Sequence, residues 1–215
     1  TPFVTGSAVV PVSDTLHEWQ TDALATVSTS NARIQGDDKS GASITATSRL
    51  QNRTQISDKT VVVAGTQRAT NPAGRADELN YQVTKAMQEV KRDIEAIATR
   101  NQAISAGNST AAATCRTLES WYTSNTSRGT SGANGSTTAA ATDGDQRDIS
   151  ENLLKDILQT VYTAGGEPDT IMCGPVNKQK ISGFSGNNTR MLDGADKKLV
   201  TSVDIYVSDF GELRV

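Results

Sequence analysis

The chain has 215 residues and a net charge of −3, from 21 Lys and Arg against 24 Asp and Glu. That length holds one good-sized domain or two small ones, and the weakly acidic balance leaves no basic face of the kind that marks a dedicated nucleic-acid binder. Core material is short: hydrophobic residues are 35% and aromatics 4%, against roughly 45–50% apolar in typical soluble domains when Gly is counted. No apolar run approaches the ~18–20 residues of a membrane span, and no signal peptide opens the sequence, so a soluble product made in the cytoplasm is expected. The sequence opens at Thr1 without a Met, as expected of a processed or partial chain. Cys115 and Cys173 stand in unrelated contexts, which predicts two reduced thiols.

Residues 1–24 form a mixed opening in which Phe3, Val9, Val10, Val12, Leu16 and Trp19 can anchor a strand or arm. Residues 25–72 carry only eight large apolar side chains, Val27, Ile34, Ile44, Leu50, Ile56, Val61, Val62 and Val63, interleaved with Thr and Ser. The β-branched runs ITATS (44–48) and TVVVA (60–64) favour strands, and GDDKSG (36–41) has turn chemistry. A long, mostly polar hairpin is predicted. Two strands alone are marginal in water, so this arm needs a surface to lie on, and another subunit is the expected one.

Residues 73–106 change character. Leu79, Val83, Met87, Val90, Ile94 and Ile97 follow steps of 4, 4, 3, 4 and 3, the stripe of an amphipathic helix. Pro72 is read as its start and Gly107 as its end. A helix over 75–105 makes a rod of roughly 45 Å at ~1.5 Å per residue. Lys91 and Glu95 are expected to pair on its wet side. Residues 107–145 turn loop-like, and from Thr123 to Gly144 no large apolar residue occurs, which reads as a solvent-exposed loop or linker.

A second packing unit follows. Ile149, Leu153, Leu154, Ile157, Leu158, Val161 and Tyr162 line one helical face, with Asp148 and Glu151 placed for a capping box and Gly165–Gly166 for the end. TIMC (170–173) reads as a short buried strand, Pro175 opens a short helix that stops near Gly183, and LVTSVDIYV (199–207) pairs with ELRV (212–215) across SDFG. The last strand is cut short, so continuation beyond Val215 is expected.

Reagents for catalysis are missing. His17 is the one histidine, and a His-based metal site or a Ser-His-Asp arrangement would need partners that the pattern does not single out. No P-loop, G-x-G-x-x-G or G-x-S-x-G occurs. Asp209-Phe210-Gly211 spells a kinase motif without the rest of a kinase, and reads as a turn. Glu78, Glu89, Asp93 and Glu95 read as a solvated helix face or subunit contacts. No catalytic residue, cofactor or metal ligand is assigned.

Four segments, TLHEWQTDAL (15–24), NPAGRADELNYQVTKAMQEVKRDIE (71–95), YTAGGEPDTIMCGP (162–175) and KLVTSVDIYVSDFGELRV (198–215), resemble a family of tailed-phage major capsid proteins with an HK97-like fold. The resemblance implies an α+β chain with an extended β-hairpin loop, a long spine helix in a peripheral domain and a mixed α/β axial domain. Residues 1–24 would be the distal part of an N-terminal arm, 25–72 the extended loop, 73–145 the peripheral domain with its Ser/Thr/Gly-rich loop, and 146–215 the axial domain and the start of a returning strand. It further implies a virion subunit made in the host bacterial cytoplasm and assembled into hexamers and pentamers of an icosahedral shell around double-stranded DNA. Scaffold, portal and decoration proteins are its possible partners, with no membrane. Covalent cross-linking is not predicted, since nothing marks an Asn partner for Lys39 or Lys59. Trp19, Ile44, Ile56, Val61, Val62 and Val63 are the candidate subunit-interface residues. Two other readings remain open: an encapsulin-type nanocompartment shell, and a phage tail or surface adhesin subunit suggested by the Thr/Ser-rich strands. An enzyme ranks below both.

Overall fold

The computed structural model describes residues 2–38, 41, 44–70, 74, 77–184, 192–193, 198–199 and 203–215. Helices mix with small antiparallel sheets, an α+β chain. It divides into two compact units, residues 1–119 with 137–139, and residues 120–136 with 140–215.

The first unit opens with a single helical turn, α1 (Pro2–Gly6). An exposed extended stretch leads to β1 (Leu16–Thr21), which pairs antiparallel with β2 (Ser48–Arg53) in the register Leu16↔Arg53 to Thr21↔Ser48. Trp19 faces Leu50 across the ladder, and both are half-buried. The arm is therefore a hairpin, but its strands are not those the β-branched runs predict. Its stem is polar, and the described residues between 22 and 47 lie at its tip. Gly36 (φ +85°) sits third in a turn closed by the Asp37 N–H on the Ile34 carbonyl at 3.3 Å, a position that favours glycine. Lys39 and Ser40 of the predicted turn lie outside the described residues.

TVVVA (60–64) is extended yet joins no ladder. Val61 lies against a helix face instead of a neighbouring strand, while Val62 stays exposed. A five-residue helix, α2 (Gly65–Ala69), follows. The amphipathic stripe becomes α3 (Glu78–Thr99), whose 22 residues span about 33 Å. It is shorter than the predicted 75–105 at both ends. Asp77 is the N-cap, its carboxylate accepting the Leu79 N–H at 2.9 Å; Pro72 lies outside the described residues. At the other end Arg100 turns extended, because Thr117 captures the departing chain. The Thr117 hydroxyl accepts the Gln102 N–H at 2.9 Å and donates to the Arg100 carbonyl. Gly107 (φ +68°) belongs to a tight turn bridged by Ser105 and Thr114, where a Cβ would stand 2.5 Å from the Ala113 nitrogen. It does not end the helix.

The second unit begins within α4 (Leu118–Trp121). The stretch read as a linker is folded. Ala133 and Thr142 exchange backbone hydrogen bonds of 3.1 and 2.9 Å, the Asp145 N–H reaches the Thr130 carbonyl at 2.9 Å, and Arg147 donates to the Ser127 carbonyl at 2.6 Å. Its order comes from main-chain bonds and close glycine contacts, which leave no apolar signature.

Next come α5 (Glu151–Thr163) and α6 (Pro175–Ser182). Ser150, not Asp148, caps α5 by accepting the Leu153 N–H at 3.3 Å, while Asp148 pairs with Lys180. The predicted glycine end holds: Gly165 (φ +85°) sends its N–H to Tyr162 and Gly166 to Val161, the two bonds of a Schellman cap. Residues Leu192–Asp193 (β3) pair with Lys198–Leu199 (β4). Of the predicted strand over 199–207, Leu199 lies in β4, residues 200–202 lie outside the described residues, and strand resumes at Ile205. Residues Ile205–Ser208 (β5) and Gly211–Arg214 (β6) form a hairpin across Asp209 and Phe210. The kinase-like tripeptide is thus a turn. TIMC contributes one parallel bridge, Thr170 to Arg214. Leu158, Ile181, Phe184, Tyr206 and Leu213 make the core of this unit, with Ile149, Leu154, Ile171, Cys173 and Val215 packed on it. Each such side chain contributes roughly 1.5–3 kcal/mol by leaving water.

Candidate assembly surface

In the first unit, carboxylates of α3 hold two other segments of the chain against it. Glu95 accepts the backbone N–H groups of Phe3 and Val4, both at 2.8 Å, which ties α1 to the helix across 91–92 residues of sequence. Lys59 reaches Asp93 at 3.2 Å and Glu89 at 4.0 Å, clipping the extended stretch onto the same helix. Glu78 is buried at 6% exposure and takes a hydrogen bond from the Gln82 amide at 2.7 Å. These groups were read as a solvated face or subunit contacts. Glu89 and Asp93 do stay part-exposed while they hold Lys59, Glu78 bonds within α3, and Glu95 serves α1 in place of the predicted pair with Lys91.

The base of the arm is joined by uncharged side chains. The Asn52 amide mimics a strand edge: Oδ1 accepts the Arg116 N–H at 2.7 Å, and Nδ2 donates to the Arg116 carbonyl at 2.9 Å. The Gln102 amide donates to Gln55 Oε1 at 2.9 Å and to the Cys115 carbonyl at 2.8 Å. Nothing in the sequence marks Asn52, Gln55, Gln102, Lys59 or Glu95 for these partners. Only Asp77, immediately ahead of the apolar stripe, carries a legible signal of its role.

Once these tethers are made, much apolar surface is still uncovered. Val61 lies beside Val83, Ala86, Met87 and Val90 of α3, and with Lys59 and Lys91 they wall a groove of about 480 Å³. Met87 is 62% exposed despite its place in the helical stripe. Of the six predicted interface residues, Ile44, Ile56 and Val62 are almost fully exposed, and Val61, Val63 and Trp19 are half-buried. The structure does not gather all six into one patch: Trp19 stacks near His17 at a ring separation of 5.6 Å on the hairpin stem, whereas Val61 lies on α3. Leu24, Val27 and Ile34 on the hairpin tip are exposed as well.

A surface of this kind can bury area against a partner. It offers little else. Among the described residues, no group of His, Cys, Asp and Glu is placed to hold a metal ion. Burial pushes the Cys115 thiol up, against the smaller opposing effects of a backbone hydrogen bond and Arg100, which lowers its thiolate fraction and its reactivity.

The family model of the SU10 major capsid protein matches residues 1–215, the whole chain. The chain belongs to the SU10 major capsid protein family. A relative, the major capsid protein of Escherichia phage Phieco32, is 40% identical over 103 residues, an alignment covering 48% of this chain and 29% of that protein. The chain thus corresponds to under a third of that relative's length. Capsid family membership fits a surface that buries area against a neighbour, and neither the nanocompartment nor the adhesin reading is favoured.

Proposed function

We propose that this chain is the tethering and packing part of a bacteriophage major capsid protein with an HK97-like fold. In this reading it assembles as hexamers and pentamers into an icosahedral shell around double-stranded DNA. The match of one capsid family over residues 1–215 carries the reading. The uncovered apolar side chains of the hairpin tip and of α3 supply its physics. A closed lattice turns many modest contacts into collective stability, and surface that finds cover only on a neighbour gains its stability by mass action. Residues 25–72 would then be the extended loop, α3 the spine of the peripheral domain, and the second unit the core of the axial domain. Lys59 serves an ion pair with Asp93 here, which supports a shell held without a cross-link at that lysine.

Negative-stain microscopy of the full-length protein tests the proposal. Closed polyhedra containing DNA are the expected result. Particles enclosing a cargo enzyme would move the assignment to a nanocompartment, and a stable monomer at micromolar concentration would refute the shell.

A further inference from the structure

Of the chain's asparagines, only Asn134 precedes a glycine. Such a step is chemically labile, because glycine puts no side chain in the way when its backbone nitrogen attacks the asparagine carboxamide, and asparagines are among the thermolabile residues of proteins. Here the step lies in the polar loop of the second unit, and three hydrogen bonds pin its side chain. Oδ1 accepts from the Thr126 hydroxyl at 2.6 Å and from Arg128 Nε at 2.9 Å, and Nδ2 donates to the Thr123 carbonyl at 2.9 Å. The backbone on the glycine side is equally confined. Gly135 is buried, and a Cβ there would lie 2.6 Å from the carbonyl oxygen of the fully buried Ser120.

We propose that Asn134 is a conformationally gated deamidation site, held intact while this loop is closed and converted when it opens. Ring closure needs the carboxamide carbon to swing onto the Gly135 nitrogen, which breaks the bonds to Thr126, Arg128 and Thr123. In the open loop the Gly135 N–Cγ bond forms and the Cγ–Nδ2 bond breaks. The Gly135 proton leaves with Nδ2 as ammonia, and solvent water opens the resulting succinimide to aspartate or isoaspartate. The change is one-way and reinforces itself. The new carboxylate still faces Arg128, but it has lost the donor to Thr123 and sets an oxygen against that carbonyl. Thr123 is exposed and its carbonyl turns to water, but the loop has lost one internal bond and closes less well after conversion than before.

The test is to age the full-length protein at neutral pH and follow the amide-to-acid mass change of the peptide containing Asn134. Isomerisation at the nearby Asp143–Gly144 step leaves mass unchanged and does not interfere. Folded wild type should convert far more slowly than protein held in denaturant. Arg128→Ala, and the milder Thr126→Val, should convert on the order of tenfold faster than wild type while folded, since each loses one or more pinning bonds. Melting temperature identifies any variant that has simply unfolded, and Thr126→Val keeps the comparison if Arg128→Ala does so. Equal rates in folded and denatured wild type, or folded variants that match wild type, would overturn the proposal.

Discussion

Replacing Asn52 by alanine removes the joint between the hairpin and the segment that follows α3. The Asn52 side chain takes part in three hydrogen bonds, with the Arg116 N–H at 2.7 Å, the Arg116 carbonyl at 2.9 Å and the Arg53 N–H at 2.9 Å. Each contributes about 1 kcal/mol net, and a half-buried group left unsatisfied costs ~1–3 kcal/mol. Water reaches part of the site, so the expected loss is about 2–3 kcal/mol. That corresponds to roughly 30- to 150-fold in the population of the opened joint. Hydrogen exchange at the Arg116 amide reads it directly, because that N–H is donated to Asn52 Oδ1. Exchange there should accelerate by this factor, while Leu153 and other amides of α5 keep their protection. An unchanged Arg116 rate would show that the arm is held elsewhere and refute the reasoning.

Other perturbations separate the core, the tether and the uncovered surface. Leu213→Ala empties a site only 2% exposed and should cost roughly 2–5 kcal/mol, measured as a lower denaturant midpoint for the second unit. Glu95→Ala removes the acceptor for two backbone N–H groups and should make residues 2–15 the first site of limited proteolysis, with little change in melting temperature. Ile56→Asp, at a side chain 92% exposed, should leave the subunit folded by circular dichroism yet abolish particles; particles of normal yield would remove Ile56 from the interface. Tyr206 is pushed up from its ordinary value of 10.0, first by burial and then by Glu151. A raised value means that the neutral phenol is the stabilised form. Its contribution is complete below pH 10 and is lost as pH rises through the raised value. Tyr206→Phe should therefore unfold less steeply than wild type in an alkaline titration above pH 10.

The two units differ in how far their sequences disclose them. Leu158, Ile181, Tyr206 and Leu213 pack because α5, α6 and the final hairpin carry ordinary local signals: a 3.6-residue stripe, a proline at the start of α6, glycines in a Schellman cap, and a short turn at Asp209 and Phe210. The arm breaks that correspondence. Val61, Val62 and Val63 have high strand propensity, but propensity measures fit to a half-buried surface. Val61 finds one on the helix face of Val83, Ala86 and Met87 without a ladder, and Val62 stays exposed. The true stem, LHEWQT against SRLQNR, has no β-branched pattern and is set by its register and by Asn52. Candidate interface residues were legible as apolar side chains with nothing nearby to cover them. The tethers were not, since a glutamate that binds distant backbone amides has the same local context as one that faces water.

The amide joint and the carboxylate clip answer to different solvent variables. Lys59 and Asp93 are a partly exposed ion pair, with side chains 40% and 49% accessible, and the screening length shrinks from about 10 Å at 0.1 M salt to ~3 Å at 1 M. Asn52, Gln55 and Gln102 carry no charge, so ionic strength leaves their bonds intact. High salt therefore loosens the stretch around Lys59 while residues 52–55 stay fixed to Arg116 and Cys115. The segment leaving the hairpin is held at residues 52–55 by bonds that ignore electrolytes and at Lys59 by one that feels them, so the ionic medium sets the freedom of the stretch around Lys59 and leaves the hairpin base fixed.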